Sequence, residues 1–281
     1  MSSTLWLTAV AMVAFAGNSL LARLALVDGA IDAAGFTGIR LASGAAVLAL
    51  IALGARKRQA GDRFVGGSWV SATALFVYAI TFSLAYLKLG AAVGALVLFT
   101  AVQATMIGWG LLRGERPSRR EAAGLAVAFA AFILWLAPAV TRPDPLGTVL
   151  MIASGVAWGV YSLRGKAAGD PVRATAGNFI RTLPLAVPLA AVSLCQDGVG
   201  AEGLALALAS GCVASALGYI VWYRALAGLT ALAAAIVQLS VPVIAAFGAV
   251  LFLSETLSLG FIVAASSVLG GIGFALFSRQ R

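Results

Sequence analysis

The chain is cut into ten apolar runs, each roughly the 20 residues that a helix needs to cross a bilayer, with only short breaks between them. The runs are Thr4–Ala25, Ala34–Gly54, Ser68–Leu87, Ala91–Leu112, Arg120–Pro138, Leu146–Leu163, Ala174–Cys195, Gly203–Tyr223, Thr230–Leu253 and Leu257–Phe277. In lipid, a segment must satisfy its backbone internally, which leaves helices or closed barrels. No run alternates polar with apolar residues, so helices rather than barrel strands are expected. With 62% hydrophobic and 10% charged residues, the apolar surface is too large for a water-exposed fold of 281 residues to bury. The connections are too short for a soluble domain. The expected fold class is an all-α integral membrane protein of ten transmembrane helices.

Lysine and arginine set the direction of the spans. The net charge of +9 would suggest nucleic acid in a soluble protein, but here the charges sit between the apolar runs and imply no nucleic-acid partner. Breaks after even-numbered spans, with the tail, carry 14 of the 19 basic residues, among them Arg56, Arg113, Arg164 and Arg279. The other breaks hold Lys88 and Arg142 alone, and Arg23, Arg40 and Arg181 lie within spans or at their edges. Both termini are therefore expected on the cytoplasmic side of the inner membrane. Ala14-Phe15-Ala16 has the form of a cleavage site, yet Met1 to Thr4 carry no positive charge and the run continues past it, so a cleaved leader is not expected.

The chain also repeats itself. Glu115 and Glu255 are 140 residues apart, as are Ser118 and Ser258; Arg40 and Arg181 are 141 apart. Val13-Ala14-Phe15-Ala16 falls near Val156-Ala157-Trp158-Gly159 at a shift of 143. Spans one to five thus match six to ten in order. An odd number of spans makes the second copy enter the membrane upside down, giving an inverted-topology repeat of residues 1–140 and 146–281 within one membrane domain.

Several short motifs carry a family resemblance. They are Leu112-Arg113-Gly114-Glu115 and Leu253-Ser254-Glu255 at the ends of spans four and nine, the arginine early in spans two and seven, Phe15-Ala16-Gly17-Asn18 and Trp158-Gly159-Val160-Tyr161. With the ten-span layout, the chain resembles the drug/metabolite transporter superfamily, its EamA-type branch, and within that the YddG-type amino-acid exporters. The second repeat has Ser254 where the first has Gly114. The resemblance implies a carrier that exports small metabolites, foremost neutral or aromatic amino acids, with drugs or other metabolites as the alternative cargo. Alternating access around a central aromatic cavity would follow from bending of the two repeats.

The polar and aromatic residues inside spans are the candidates for contact with such a solute: Asn18, Tyr78, Phe82, Phe99, Gln103, Trp158, Tyr161, Ser162, Tyr219 and Gln238. Uncharged amides and phenols among aromatics suit a neutral or zwitterionic molecule with an apolar side chain. The competing reading is helix–helix hydrogen bonding and an interfacial aromatic belt, which suits Trp6, Trp69, Trp109 and Trp135 by depth. Arg40 and Arg181 each lie about seven residues into a span. They could attract a substrate carboxylate, or snorkel and bond helix-end carbonyls; their matched depth favours a structural or gating role. Glu115 and Glu255 are expected to face the positive N-termini of spans five and ten, capped by Ser118 and Ser258. Pro242, like Pro184 and Pro188, can kink its helix and serve as a hinge.

Other classes fit less well. The chain has no histidine and two cysteines, so no metal site, disulfide framework or His-based catalysis is expected. No span interior holds Asp or Glu, which leaves an intramembrane enzyme without a base. Rings of charge and filter-like loops, the marks of a channel, are missing. No nucleotide-binding loop is present, and no cofactor is implied. The expected partners are a small-molecule substrate and the lipid bilayer.

Overall fold

The computed structural model describes residues 2–27, 29–54, 66–89, 91–137, 144–196, 199–253 and 259–277. Among these, all regular structure is helical; Ile31 and Val199 form one isolated antiparallel bridge. The helices are α1 (Ser2–Val27), α2 (Ala33–Gly54), α3 (Trp69–Tyr86), α4 (Ala91–Leu112), α5 (Arg119–Leu136), α6 (Pro145–Lys166) and α7 (Pro171–Cys195). Then come α8 (Ala201–Ala209), a π-helical segment (Ser210–Leu217) and α9 (Gly218–Leu226), which run on as one rod, followed by α10 (Ala231–Gln238), α11 (Ser240–Leu253) and α12 (Leu259–Phe277). Among the described residues, eight stretches are long and apolar enough to cross a membrane. The first turn of α5 carries Arg119, Arg120 and Glu121, and the apolar part of α12 is the shorter Ile262–Leu276.

Local chemistry explains the starts. Asp144 and Asp170 accept backbone N–H bonds from the first turns of α6 and α7, each followed by proline at the first helical position. Ser118 and Glu121 form a reciprocal capping box on α5, and Thr230 caps α10. Gly67 has φ of +72° and presses on Asn178 and the carbonyl of Ala174, so only a residue without Cβ fits there. That turn brings the amide of Ser68 to Asn178 at 3.0 Å and seats the start of α3 on α7.

Two spans are irregular. Pro242 lacks the N–H that would bond the carbonyl of Gln238, and the rod breaks at Leu239 into α10 and α11. The Ser240 hydroxyl donates to the carbonyl of Val237 at 2.7 Å and covers part of the break. The π segment was not legible in the sequence, where the stretch reads as one uninterrupted span.

Packing follows a definite pattern. Helix α2 lies along α7, α5 along α12, and α4 along α10; α6 packs against α3 and α4, while α1 packs against α11 and the α8–π–α9 rod. With lipid on the outside, close backbone approach is the main source of attraction between helices. Gly124 of α5 faces the carbonyl of Gly271 and the Ala275 methyl of α12; Gly271 faces the carbonyl of Gly124 and Ala128. These are two small-xxx-small faces in contact. Gly124→Val is expected to lower stability by about 1–3 kcal/mol through overpacking, read as a fall in the thermal midpoint of the purified protein; an unchanged midpoint would mean that α5 and α12 do not meet there.

Candidate functional site

Aromatic rings from both halves of the chain meet at the centre. Trp158 of α6 lies with its ring centroid 4.8 Å from Tyr78 of α3, 5.0 Å from Tyr219 of α9 and 5.7 Å from Tyr161 one turn away. Phe15 of α1 meets Trp158 edge-on at 5.1 Å and also reaches Tyr219 and Trp222. Such edge and tilted contacts are the favoured geometries for aromatic pairs. The indole N–H of Trp158 donates to Oε1 of Gln238 at 2.7 Å, directly before the α10–α11 break. Gln238 in turn donates to the carbonyl of Ala234 and to the sulfur of Met106.

A cavity lies on each side of this cluster. One, of about 790 Å³, is bounded by the start of α3, the end of α4 and the α6–α7 connection, with Arg113, Arg164, Arg173, Asn178 and Tyr223 on its walls. The other, about 220 Å³, is bounded by the opposite ends of α3 and α4 and by the end of α1. Its walls include Phe82, Tyr86, Phe99, Trp135, Pro242 and Arg23. Because α3 and α4 contribute opposite ends, the cavities occupy opposite halves of the bundle. Rings connect each to the centre. Tyr78, Phe82 and Tyr86 form a ladder with spacings of 6.0 and 5.0 Å toward the smaller cavity. Tyr161 and Tyr223, 5.1 Å apart, lead toward the larger one.

The ten residues singled out in the spans sort into three groups. Tyr78, Trp158, Tyr161, Tyr219 and Gln238 build the central cluster, and Phe82 and Phe99 wall the smaller cavity. Asn18, Gln103 and Ser162 pin helices: Asn18 accepts from Ser210 at 2.6 Å, Gln103 donates to the carbonyl of Ala235 at 2.7 Å, and Ser162 accepts from the Trp222 indole at 3.1 Å. Pro242 lines the smaller cavity at the helix break. Phe15, Tyr86, Phe179 and Ser215 also belong to this region but were not singled out. Phe15 had a signal, since the repeat places it opposite Trp158. Trp135, placed by depth in the lipid belt, lines the smaller cavity instead, whereas Trp6 and Trp69 stand exposed on the outer surface.

The paired charges part company. Arg181 donates to the carbonyls of Gly66 and Gly177, both at 2.7 Å, and lies over the Trp69 ring at the bundle's basic end. Arg40 is completely buried; Nε donates to Ser215 at 2.8 Å and Nη2 to the Tyr219 hydroxyl at 2.6 Å, with the Tyr78 ring 5.5 Å from its guanidinium carbon. Glu115 does not serve the N-terminus of α5, where Glu121 already closes the capping box. Its carboxylate instead accepts from the amides of Ala231 and Leu232, at 3.1 and 3.2 Å, and pairs with Lys166 at 3.4 Å. The reason is the left-handed turn at Gly114 (φ +82°), after which the chain doubles back and Glu115 meets α10. Glu255 and Ser258 lie outside the described residues.

Glu115 gives a pH-dependent clasp. Partial burial pushes its pKa up, but the two amides at the α10 N-terminus and the Lys166 ammonium outweigh this and hold it below the usual carboxylate value. A depressed folded pKa means that the unfolded chain binds more protons in that window, so stability rises with pH. The contribution is complete above the unfolded value of about 4.3 and is lost as pH falls through the folded one. Glu115→Gln is expected to lower stability by about 1 kcal/mol at pH 7, with the gap to the wild type narrowing below pH 4. Midpoints for both proteins across pH 3.5–7 test this; a gap independent of pH would contradict it.

Comparisons with known proteins agree with a carrier. The model of the EamA-like transporter family matches residues 145–277. An uncharacterized protein of Pseudomonas aeruginosa is 50% identical over 276 residues, covering 98% of this chain and 95% of its own length. The threonine/homoserine exporter RhtA of Escherichia coli K12 is 30% identical over 274 residues, covering 92% of this chain and 88% of RhtA. One solved crystal structure superposes on 97% of this chain and 99% of its own with a TM-score of 0.74 at 19% identity, a likeness of fold.

Proposed function

The chain belongs to the EamA-like transporter family of the drug/metabolite superfamily, and from that premise we propose that it exports small neutral amino acids, aromatic ones included, by alternating access. It is a multi-pass membrane transporter rather than an enzyme. The observation that carries the proposal is the pair of cavities on opposite halves of the bundle, separated by the rings around Trp158. A solute in either cavity is one aromatic layer away from the other. The threonine and homoserine of RhtA's name are small neutral amino acids, which points the same way.

Ten spans in two inverted five-helix repeats, residues 1–140 and 146–281, supply the mechanism. Exchanging each span with the one five places on maps the main packing pairs onto one another. The pairs α2–α7, α5–α12 and α4–α10 map onto themselves; α3–α6 maps onto α1 against the α8–π–α9 rod, and α4–α6 onto α1–α11. Two related halves facing each other in this way can exchange conformations, closing one cavity as the other opens. We read the larger cavity as cytoplasmic, on the same side of the inner membrane as both termini; its basic walls support this under the positive-inside rule. Export then runs from the larger cavity to the smaller.

The test is uptake of radiolabelled amino acids into proteoliposomes, with and without a pH gradient. Saturable uptake of threonine, phenylalanine or another neutral amino acid is expected. Trp158→Ala should reduce it by about tenfold or more, as removal of a central aromatic anchor does. No uptake across a broad panel by folded protein would overturn the amino-acid reading and bring other metabolites or drugs forward.

A further inference from the structure

Arg40 is the one charge that the described structure holds at the centre of the bundle, and its surroundings are neutral. Among the described residues, three buried side-chain atoms lack a hydrogen-bond partner: Nη1 of Arg40, the Tyr161 hydroxyl and Oε1 of Gln103. The first two belong to residues that flank the same ring, Tyr219. The partners Arg40 does have, Ser215 and Tyr219, are hydroxyls. Among the described residues, no carboxylate lies within ion-pair distance of it. Buried cations are normally paired, because an uncompensated charge in a low-dielectric interior is strongly destabilising. A purely structural arginine would spend its donors as Arg181 does, on nearby carbonyls.

The backbone around Arg40 is shaped to hold it there. The π segment turns Ser215 toward the guanidinium and places Tyr219 just beyond. Gly211 in the same segment touches the Arg40 carbonyl, where a Cβ would collide. Departures from α-helix of this kind recur at functional sites. Arg40 also stands where the two ring paths meet: Tyr78 leads to the smaller cavity, and Tyr219 with Tyr161 to the larger.

We propose that Arg40 is the carboxylate-binding residue of the transport path, receiving the carboxylate of the transported molecule on Nη1 between the two cavities. This rests on the transporter reading above and adds the group that is recognised. A guanidinium presents a planar fork that matches a carboxylate, and the bonds are strengthened by charge on both partners. The bound molecule then supplies the missing counter-charge, so the occluded path is favoured when filled. Amines and amides of the same shape leave the charge unpaired and are rejected.

The experiment measures binding apart from transport, by thermal shift of the purified full-length protein. The probes are L-threonine, L-phenylalanine and 3-phenylpropionate, set against L-threoninamide, L-phenylalaninamide and phenethylamine. At least one of the acids is expected to raise the wild-type midpoint while its uncharged or cationic counterparts do not. Arg40→Met should keep or raise the midpoint of the empty protein, because it removes an unpaired charge, yet lose the response to the acid and weaken its affinity by about thirtyfold or more. A merely structural arginine would instead lower the empty midpoint and leave the acid preference intact. Arg40→Lys keeps the charge without the fork and should retain a weakened preference, which decides the matter if Arg40→Met does not fold. Equal shifts by acids and amides, no shift by any acid, or an undiminished preference in the Arg40 variants would overturn the proposal. Acid-selective binding without amino-acid uptake would instead sink the amino-acid export reading and leave Arg40 as a carboxylate site.

Discussion

Hydrocarbon offers no water to a broken helix, and the centre of this protein is organised by that constraint. Where the backbone departs from regular α-helix, polar side chains gather. At the α10–α11 break, Ser240 takes up a carbonyl and Gln238 bonds both its own helix and Trp158. Along the π segment, Ser210 bonds Asn18 and Ser215 bonds Arg40. Side-chain hydrogen bonds beside these segments also orient Trp158, through Gln238, and Tyr219, through Arg40. The aromatic layer between the cavities is thus anchored at the two irregular segments, through Gln238 and Arg40.

The two ends of the bundle are held differently. At the basic end, Glu115 joins the turn after α4 to the start of α10 and to Lys166, so one carboxylate ties elements from both halves. Arg164 adds bonds to Ser68 and Ser71 across the α3–α6 contact. The opposite half is walled by Phe82, Phe99, Trp135 and Pro242, with Arg23 and Ser19 as its polar members. A polar clasp and an apolar seam respond differently to water and charge, as the proposed alternating cycle requires of its two end states.

Much of this was legible in the sequence. Apolar run length located the helices to within a few residues, because the bilayer thickness sets it. Tyr78, Trp158 and Tyr161 stood out as polar-tipped aromatics deep in spans, and they meet at the centre, whereas Gln103 bonds the Ala235 carbonyl. The repeat could also have identified Phe15, which lies opposite Trp158 at a shift of 143. What could not be read was anything that depends on three-dimensional approach. Matched depth made Arg40 and Arg181 look equivalent, yet one reaches the loop at Gly66 and the other bonds hydroxyls from α9 and the π segment beside the Tyr78 ring. Adjacency in sequence assigned Glu115 to α5, but the left-handed turn at Gly114 delivers it to α10. The π segment left no mark, since its small residues suit an ordinary membrane helix equally well.

The central claim is that the two cavities are alternately open faces of one path through the aromatic layer. Thiol accessibility measures this directly. Ala168→Cys on the larger cavity and Ala95→Cys on the smaller would be labelled in proteoliposomes with an impermeant reagent, in a background lacking Cys195 and Cys212. A transported amino acid supplied on one side should change the two rates in opposite directions, and Trp158→Ala should uncouple them. Rates that rise or fall together, or that ignore substrate altogether, would contradict the account.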